Sequence, residues 1–206
     1  PSPPSNLALG LPLKSLIVLG MAATTALKQI YWVLRISQES MPATSALPIA
    51  AANVLFNTPS SILALTAAAS CFTPSFLGAG IAQVGGLSPL FLVGALVFLL
   101  GTGVELASEI QRRGFKSEER NRGKPYTGGL FRWARHVNYG AYSFMRAGYA
   151  LAAGGWIWGS VVAAFFFRDF ATRGVPILDE YCTERYGAPW VEFKKKVPYV
   201  LVPGVY

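Results

Sequence analysis

Three stretches of this chain, 13–34, 44–70 and 89–110, stay apolar for as long as a helix needs to cross a bilayer. Such a helix takes about 20 residues, because each adds about 1.5 Å and the hydrocarbon core is about 30 Å thick. Charge is correspondingly scarce. Lys, Arg, Asp and Glu make up 14% of the chain, against about 25% in a soluble domain. The solvent this sequence suits is lipid, and its 206 residues suit one membrane domain spanning 1–206. The opening Pro1-Ser2-Pro3-Pro4-Ser5-Asn6 lacks the basic start of a signal peptide.

The expected fold is all-α, a polytopic bundle of about five transmembrane helices. Pro48 and Pro59 are expected to kink the second span. The connection 71–88 carries no charge. Segments 138–153 and 156–171 are expected to form a helical hairpin around Gly154-Gly155. The charges on its arms (Arg146, Arg168, Asp169) place it in the bundle rather than against lipid. Residues 176–206 are too charged to span. They are expected to give a polar helix ended by Gly187, a short amphipathic segment from Trp190 to Lys196, and an extended tail. Small residues such as Gly94, Gly101, Gly103, Gly155 and Gly159 are expected where helices approach closely.

The net charge of +8 is uneven. Between 112 and 135 lie eight basic residues: Arg112, Arg113, Lys116, Arg120, Arg122, Lys124, Arg132 and Arg135. Only Glu118 and Glu119 oppose them, leaving +6. A loop wedged between spans is no nucleic-acid surface. It reads as a cytoplasmic loop obeying the positive-inside rule and touching anionic membrane lipids. It also reads as a site for a phosphate-bearing cofactor. With 112–135 in the cytoplasm, the C-terminal tail falls on the same side and the N-terminus on the other. The Lys194–Lys196 cluster then reads as adhesion to the membrane surface.

Ionisable groups inside spans are functional candidates by default, because lipid penalises them. Glu105 and Glu109 are four apart and share one helix face. They are read either as partners of Arg112, Arg113 or Arg146, or as groups that orient a substrate or relay a proton. Tyr31, Trp32, Glu39 and Asn53 sit at the inner ends of the first two spans. They are read as interfacial anchors, with Tyr31 also a candidate general acid. His136 is the only histidine. It lies in Arg132-Trp133-Ala134-Arg135-His136-Val137-Asn138-Tyr139, where guanidinium, imidazole, amide and phenol groups crowd together as the basic loop enters the membrane. With one histidine, and with Cys71 and Cys182 far apart, no catalytic metal is expected. Gly128-Gly129 is turn chemistry before a helix, with neither the spacing nor the preceding strand of a P-loop or dinucleotide fingerprint.

Together these pieces resemble the integral-membrane sterol C-14 reductase and steroid 5-alpha-reductase superfamily, whose core is shared with isoprenylcysteine carboxyl methyltransferases. Phe115-Lys116 with Asn121-Arg122-Gly123-Lys124 resembles the family's cofactor-loop entry. Gly128-Gly129-Leu130-Phe131-Arg132 through Arg135-His136-Val137-Asn138-Tyr139 resembles its GLWR…RHPNY signature. Cys182-Thr183-Glu184-Arg185-Tyr186-Gly187, Trp190, Val197-Pro198-Tyr199 and Pro203-Gly204-Val205-Tyr206 resemble the sterol reductases' C-terminal motif. Val137 stands where the family has proline, and Tyr142 where an acidic residue often follows.

The resemblance implies NADPH in a cytoplasm-facing pocket and hydride transfer to a C=C bond of a lipophilic, steroid- or terpenoid-like substrate, in the endoplasmic reticulum if the cell is eukaryotic. It implies cofactor contacts from Lys116, Asn121, Arg122, Lys124, Leu130, Arg135, His136, Asn138 and Tyr139, with Asp179, Glu180 and Tyr199 closing the pocket. Segment 1–110 would supply the substrate side. The candidate catalytic residues are Tyr31, Glu105, Glu109 and Tyr142. The alternatives are an S-adenosylmethionine-dependent membrane methyltransferase on the same core and a non-catalytic lipid-binding protein.

Overall fold

The computed structural model describes residues 10–37, 42–66 and 87–206. Pro1–Asn6, Glu39, Cys71 and nearly all of the 71–88 connection lie outside the described residues. Among those described, no β-strand is present, and the protein is an all-α, multi-pass integral membrane protein.

Helix α1 (Leu13–Tyr31) starts after the extended Pro12 and runs into a π turn, Trp32–Ile36. Helix α2 (Ala43–Leu65) follows Pro42 and holds both Pro48 and Pro59 inside it. Helix α3 (Pro89–Ser117) begins with proline, whose missing N–H costs nothing in a first turn. The Ser88 hydroxyl accepts the Phe91 N–H at 3.2 Å and caps it. α3 outruns the expected end at 110 by seven residues, since Gln111, Arg112, Arg113 and Lys116 are good helix formers. The cations also suit the negative end of the helix dipole.

Helix α4 (Val137–Asp169) passes through Gly155 at φ 80, ψ −174, a conformation only glycine adopts readily. There the chain doubles back. Leu151 lies over Gly159, and Phe144 meets Phe167 at 5.1 Å. The Arg146 guanidinium stands 5.1 Å from the Phe166 ring. The expected hairpin is therefore present, as one of four helical runs among the described residues that are long and apolar enough to cross a membrane: Leu13–Ile36, Ala46–Leu65, Pro89–Ser117 and Val137–Tyr186. The second arm continues through a π turn, Phe170–Gly174, into α5 (Val175–Tyr186). Gly187 at φ 60 ends α5, and α6 (Ala188–Lys196) follows. Large exposed side chains such as Leu34, Leu47 and Leu65 would be a liability in water and are ordinary against lipid.

The chain divides into two compact units, one of residues 1–98 and 147–162, the other of 99–146 and 163–206. In the first, helix backbones touch: a Cβ on Gly94 would lie 2.6 Å from the Ala152 nitrogen, and one on Gly148 2.4 Å from that of Phe98. The Trp158 indole N–H donates to the buried Ser60 hydroxyl at 2.9 Å, fixing α2 against the hairpin tip. In the second unit, Gly101 packs on Met145, where a Cβ would lie 2.5 Å from the backbone nitrogen. A core of Phe131, Ala134, Val137, Cys182, Trp190, Phe193 and Val197 joins the basic loop, the start of α4, α5, α6 and the tail.

The tail departs from expectation. It is extended only as far as Val200. Beyond that, the Leu201 and Val202 N–H groups both donate to the Tyr206 carbonyl at 2.8 Å, closing a turn through Pro203 and Gly204 (φ 79). Pro-Gly is turn chemistry, and the closure pairs two N–H groups within the tail.

Candidate functional site

The second unit gathers most of the candidate residues at the start of α4. The preceding segment ends in a 3-10 turn, Gly129–Arg132, anchored by the Gln111 side-chain oxygen, which accepts the Leu130 N–H at 2.9 Å. Arg135 and His136 then pair with the tail as a short strap. The Arg135 N–H donates to the Tyr199 carbonyl at 3.0 Å and the His136 N–H to that of Val200 at 2.8 Å. Strap and helix are in backbone contact at Gly140, where a Cβ would lie 2.1 Å from the Leu201 oxygen.

Three polar residues within 135–138 are held on one side and open on the other. Arg135 spends Nη1 on the Val197 and Pro198 carbonyls at 2.6 and 3.0 Å, while its Nε is buried without a partner. His136 is 2% exposed. Its ring stacks on Tyr139 at 5.8 Å and meets the edge of Trp190 at 6.1 Å, and its Nε2 is likewise unpartnered. Burial, reinforced by Arg135 and Arg112 against Asp179, pushes the His136 pKa down to about 4, so the ring is neutral at physiological pH. Asn138 donates from Nδ2 to Glu109 at 2.7 Å, and its Oδ1 is buried and unpartnered. Buried polar atoms are rarely left so. Three such atoms fall within a run of four residues.

Around this trio, Glu109 joins Arg112 at 2.6 Å as well as Asn138, which is the helix-tying arrangement weighed for it from the sequence. Tyr139 stacks on Phe170 at 4.5 Å. Asp179 accepts from the Trp190 indole at 2.8 Å and from Lys194 at 2.9 Å, holding α6 to α5. Lys116 is bound to the Tyr186 hydroxyl and lies over its ring. Asn121 caps the end of α3 through the Phe115 carbonyl at 3.0 Å. Glu105 is buried, and Tyr142, one helical turn beyond Asn138, sits between Phe166 and Phe170 in the field of Arg146 and Glu105.

Other candidates stand apart from this trio. Arg122, Lys124 and Glu180 are exposed, and the Tyr199 side chain is exposed while its carbonyl serves the strap. Tyr31 belongs to the first unit. Sequence reasoning passed over Gly140 and Leu201, whose contact carries no local signal. It named Trp190 without assigning it the place it occupies, edge-on to His136. A separate apolar groove of about 450 Å³ lies between Phe144, Phe167 and Ala171 on the hairpin and Leu201, Val202, Val205 and Tyr206 in the tail.

Residues 62–197 match the family described as Protein of unknown function (DUF1295), and the chain belongs to that family. It is also similar to a protein of Ustilaginoidea virens named probable O-methyltransferase ustE, at 41% identity over 177 residues. That match takes in 86% of this chain and 61% of the relative, so the chain spans under two thirds of the relative's length.

Proposed function

We propose that this protein is a membrane-embedded methyltransferase that uses S-adenosylmethionine to methylate an oxygen of a lipophilic substrate, with its cofactor site facing the cytoplasm. The observation that carries the reading is the 41% identity to the probable O-methyltransferase over 86% of this chain, a stretch long enough to take in the whole unpartnered trio.

The residues present fit such a cofactor. Nε of Arg135, Nε2 of His136 and Oδ1 of Asn138 offer hydrogen bonds to its polar groups, and the stacked His136, Tyr139 and Phe170 rings give an aromatic face to a flat base or a cation. When bound, the cofactor supplies an electrophilic methyl group. The chain's part is to hold it in a dry site, to keep His136 neutral, and to orient the substrate oxygen. In this reading the Glu105 carboxylate takes that oxygen's proton, and the Tyr142 hydroxyl next to it supplies a hydrogen bond.

Charge also favours a cofactor poor in anions. Five of the eight basic side chains between 112 and 135 are engaged locally: Arg112 on Glu109, Lys116 on Tyr186, Arg120 on Glu118, Arg132 on the Gly129 carbonyl, and Arg135 on the tail. A second reading, NADPH-dependent reduction of a C=C bond, draws on the resemblance of the 128–139 segment to the reductase signature and on the exposed Arg122 and Lys124.

Thermal unfolding in detergent separates the two readings, because a ligand at a hundred times its Kd stabilises by about 2.7 kcal/mol. S-adenosylmethionine and S-adenosylhomocysteine are expected to stabilise the protein, and less so in Asn138→Leu. Stabilisation by NADPH alone transfers the assignment to the reductase reading.

A further inference from the structure

We infer that Glu109 is a positioning residue that locks the Asn138 amide with its oxygen towards the ligand, so that the site selects a nucleotide by an amino group beside a hydrogen-bond acceptor. The inference rests on the cofactor site proposed above, and not on which group that cofactor transfers.

The geometry leaves Asn138 one orientation. Glu109 and Asn138 are 4% and 5% exposed. One Glu109 oxygen lies 2.6 Å from the Arg112 guanidinium, which can only donate, and the other lies 2.7 Å from the Asn138 amide. A carboxylate only accepts, so the amide atom facing it is the NH2 group. Oδ1 is thereby turned to the other side, where it is buried without a partner. Three residues earlier, Arg135 has Nη1 fixed by two tail carbonyls, and its Nε–H is equally buried and open.

The site thus offers one obligate acceptor and one obligate donor. The complement is an NH2 donor next to an acceptor. Adenine carries that pair on its amino edge, and the carboxamide of a nicotinamide carries it too. Hypoxanthine reverses the pattern, placing an oxygen where adenine has its amino group and N–H where adenine has a bare ring nitrogen. An enzyme reading this edge tells adenine from hypoxanthine, because the wrong base leaves buried groups unpaired.

Glu109→Gln tests the positioning. Glutamine keeps the shape but has a single oxygen. The Arg112 cation takes that oxygen, the new NH2 group faces Asn138, and Asn138 turns to present its own NH2 group to the ligand. Binding of S-adenosylhomocysteine and S-inosylhomocysteine to the full chain in detergent is measured by calorimetry. A parallel pair is NADPH and its hypoxanthine analogue, with the 3-acetylpyridine analogue reporting on the carboxamide.

Wild-type protein is expected to favour the adenine member by about tenfold or more, and Glu109→Gln to erase or reverse that preference. Asn138→Leu, which has no amide to turn, is expected to keep only the part of the preference that the Arg135 Nε–H gives. Discrimination at the acetylpyridine instead of the hypoxanthine position, abolished by Glu109→Gln, supports the same reader acting on a carboxamide. Equal weakening of both members by Glu109→Gln, or full adenine preference in Asn138→Leu, overturns the inference. Wild-type binding of S-adenosylhomocysteine without discrimination overturns it while leaving the methyl-transfer reading standing. Discrimination only in the NADPH set does the reverse.

Discussion

Replacing Gly140 by alanine tests whether the tail strap keeps the site dry. The added Cβ would lie 2.1 Å from the Leu201 carbonyl oxygen, a backbone atom with no rotamer to escape into. Carbon and oxygen need more than 3 Å, so the strap has to lift. Lifting breaks the bonds from Arg135 N–H and His136 N–H to the tail, worth about 1 kcal/mol each. It also exposes part of Leu201, now 2% exposed, worth about 1–2 kcal/mol. The local loss is about 3–4 kcal/mol, enough to open the strap most of the time.

The readout is clean because His136 is the only histidine in the chain. Its imidazole resonance is followed against pH by NMR. In the wild type the midpoint is expected near the depressed value of about 4. In Gly140→Ala, water reaches the ring and the midpoint climbs towards the ordinary 6.5. Gly103→Ala, where an added Cβ meets nothing within 4 Å, serves as the control. If Gly140→Ala titrates like the wild type, and the Arg135 and His136 amides exchange no faster, the strap is not what buries the histidine and the reasoning fails.

Three further outcomes are expected. The depressed His136 pKa makes the unfolded state bind the extra proton between about 4 and 6.5, so stability is full above pH 6.5 and falls as pH drops through 4, by about 3 kcal/mol in all. A His136→Gln variant should show a flatter profile of unfolding midpoint against pH, and an unchanged slope refutes the assignment. Asp179→Asn keeps an acceptor for the buried Trp190 indole and loses only a half-exposed ion pair, costing under about 1 kcal/mol. Asp179→Leu orphans the indole N–H and should cost about 1–3 kcal/mol, so chemical denaturation that ranks the two alike contradicts that division. Gly155→Ala forces a β-carbon into φ 80, ψ −174 and should cost about 1–3 kcal/mol in thermal unfolding. An unshifted midpoint would show that the hairpin turn is free to adopt another shape.

Whatever local chemistry dictates was legible in the sequence. The apolar runs gave α1 to α4, Gly154-Gly155 marked the hairpin, and Gly187 marked the stop of α5, because each works through its own backbone or a neighbour one turn away. The clustering of Arg135, His136, Asn138 and Tyr139 was legible too, as they fall within five successive positions. What stayed hidden depends on distant pairing. A count of cations does not say which are already engaged: Lys116 meets Tyr186, seventy positions on, and Arg135 meets Val197, sixty-two positions on. The tail read as extended because Pro203 and Gly204 suit a turn but do not announce what the turn closes on. The Glu109–Asn138 pairing was invisible for the same reason, although Glu109 itself stood out as a charge in a span.

The strap also has a meaning in time. Chains emerge from the ribosome N-terminus first, and the two arms of α4 face each other across a single turn, so the hairpin closes on contacts near in sequence and therefore quick to form. Arg135 and His136 must wait until Tyr199 and Val200 have been made. The hairpin can thus form before the strap, and Arg135 and His136 gain their tail partners only when the 199–206 segment settles onto Gly140. A chain interrupted before Tyr199 would lack the carbonyls that receive the Arg135 and His136 N–H groups.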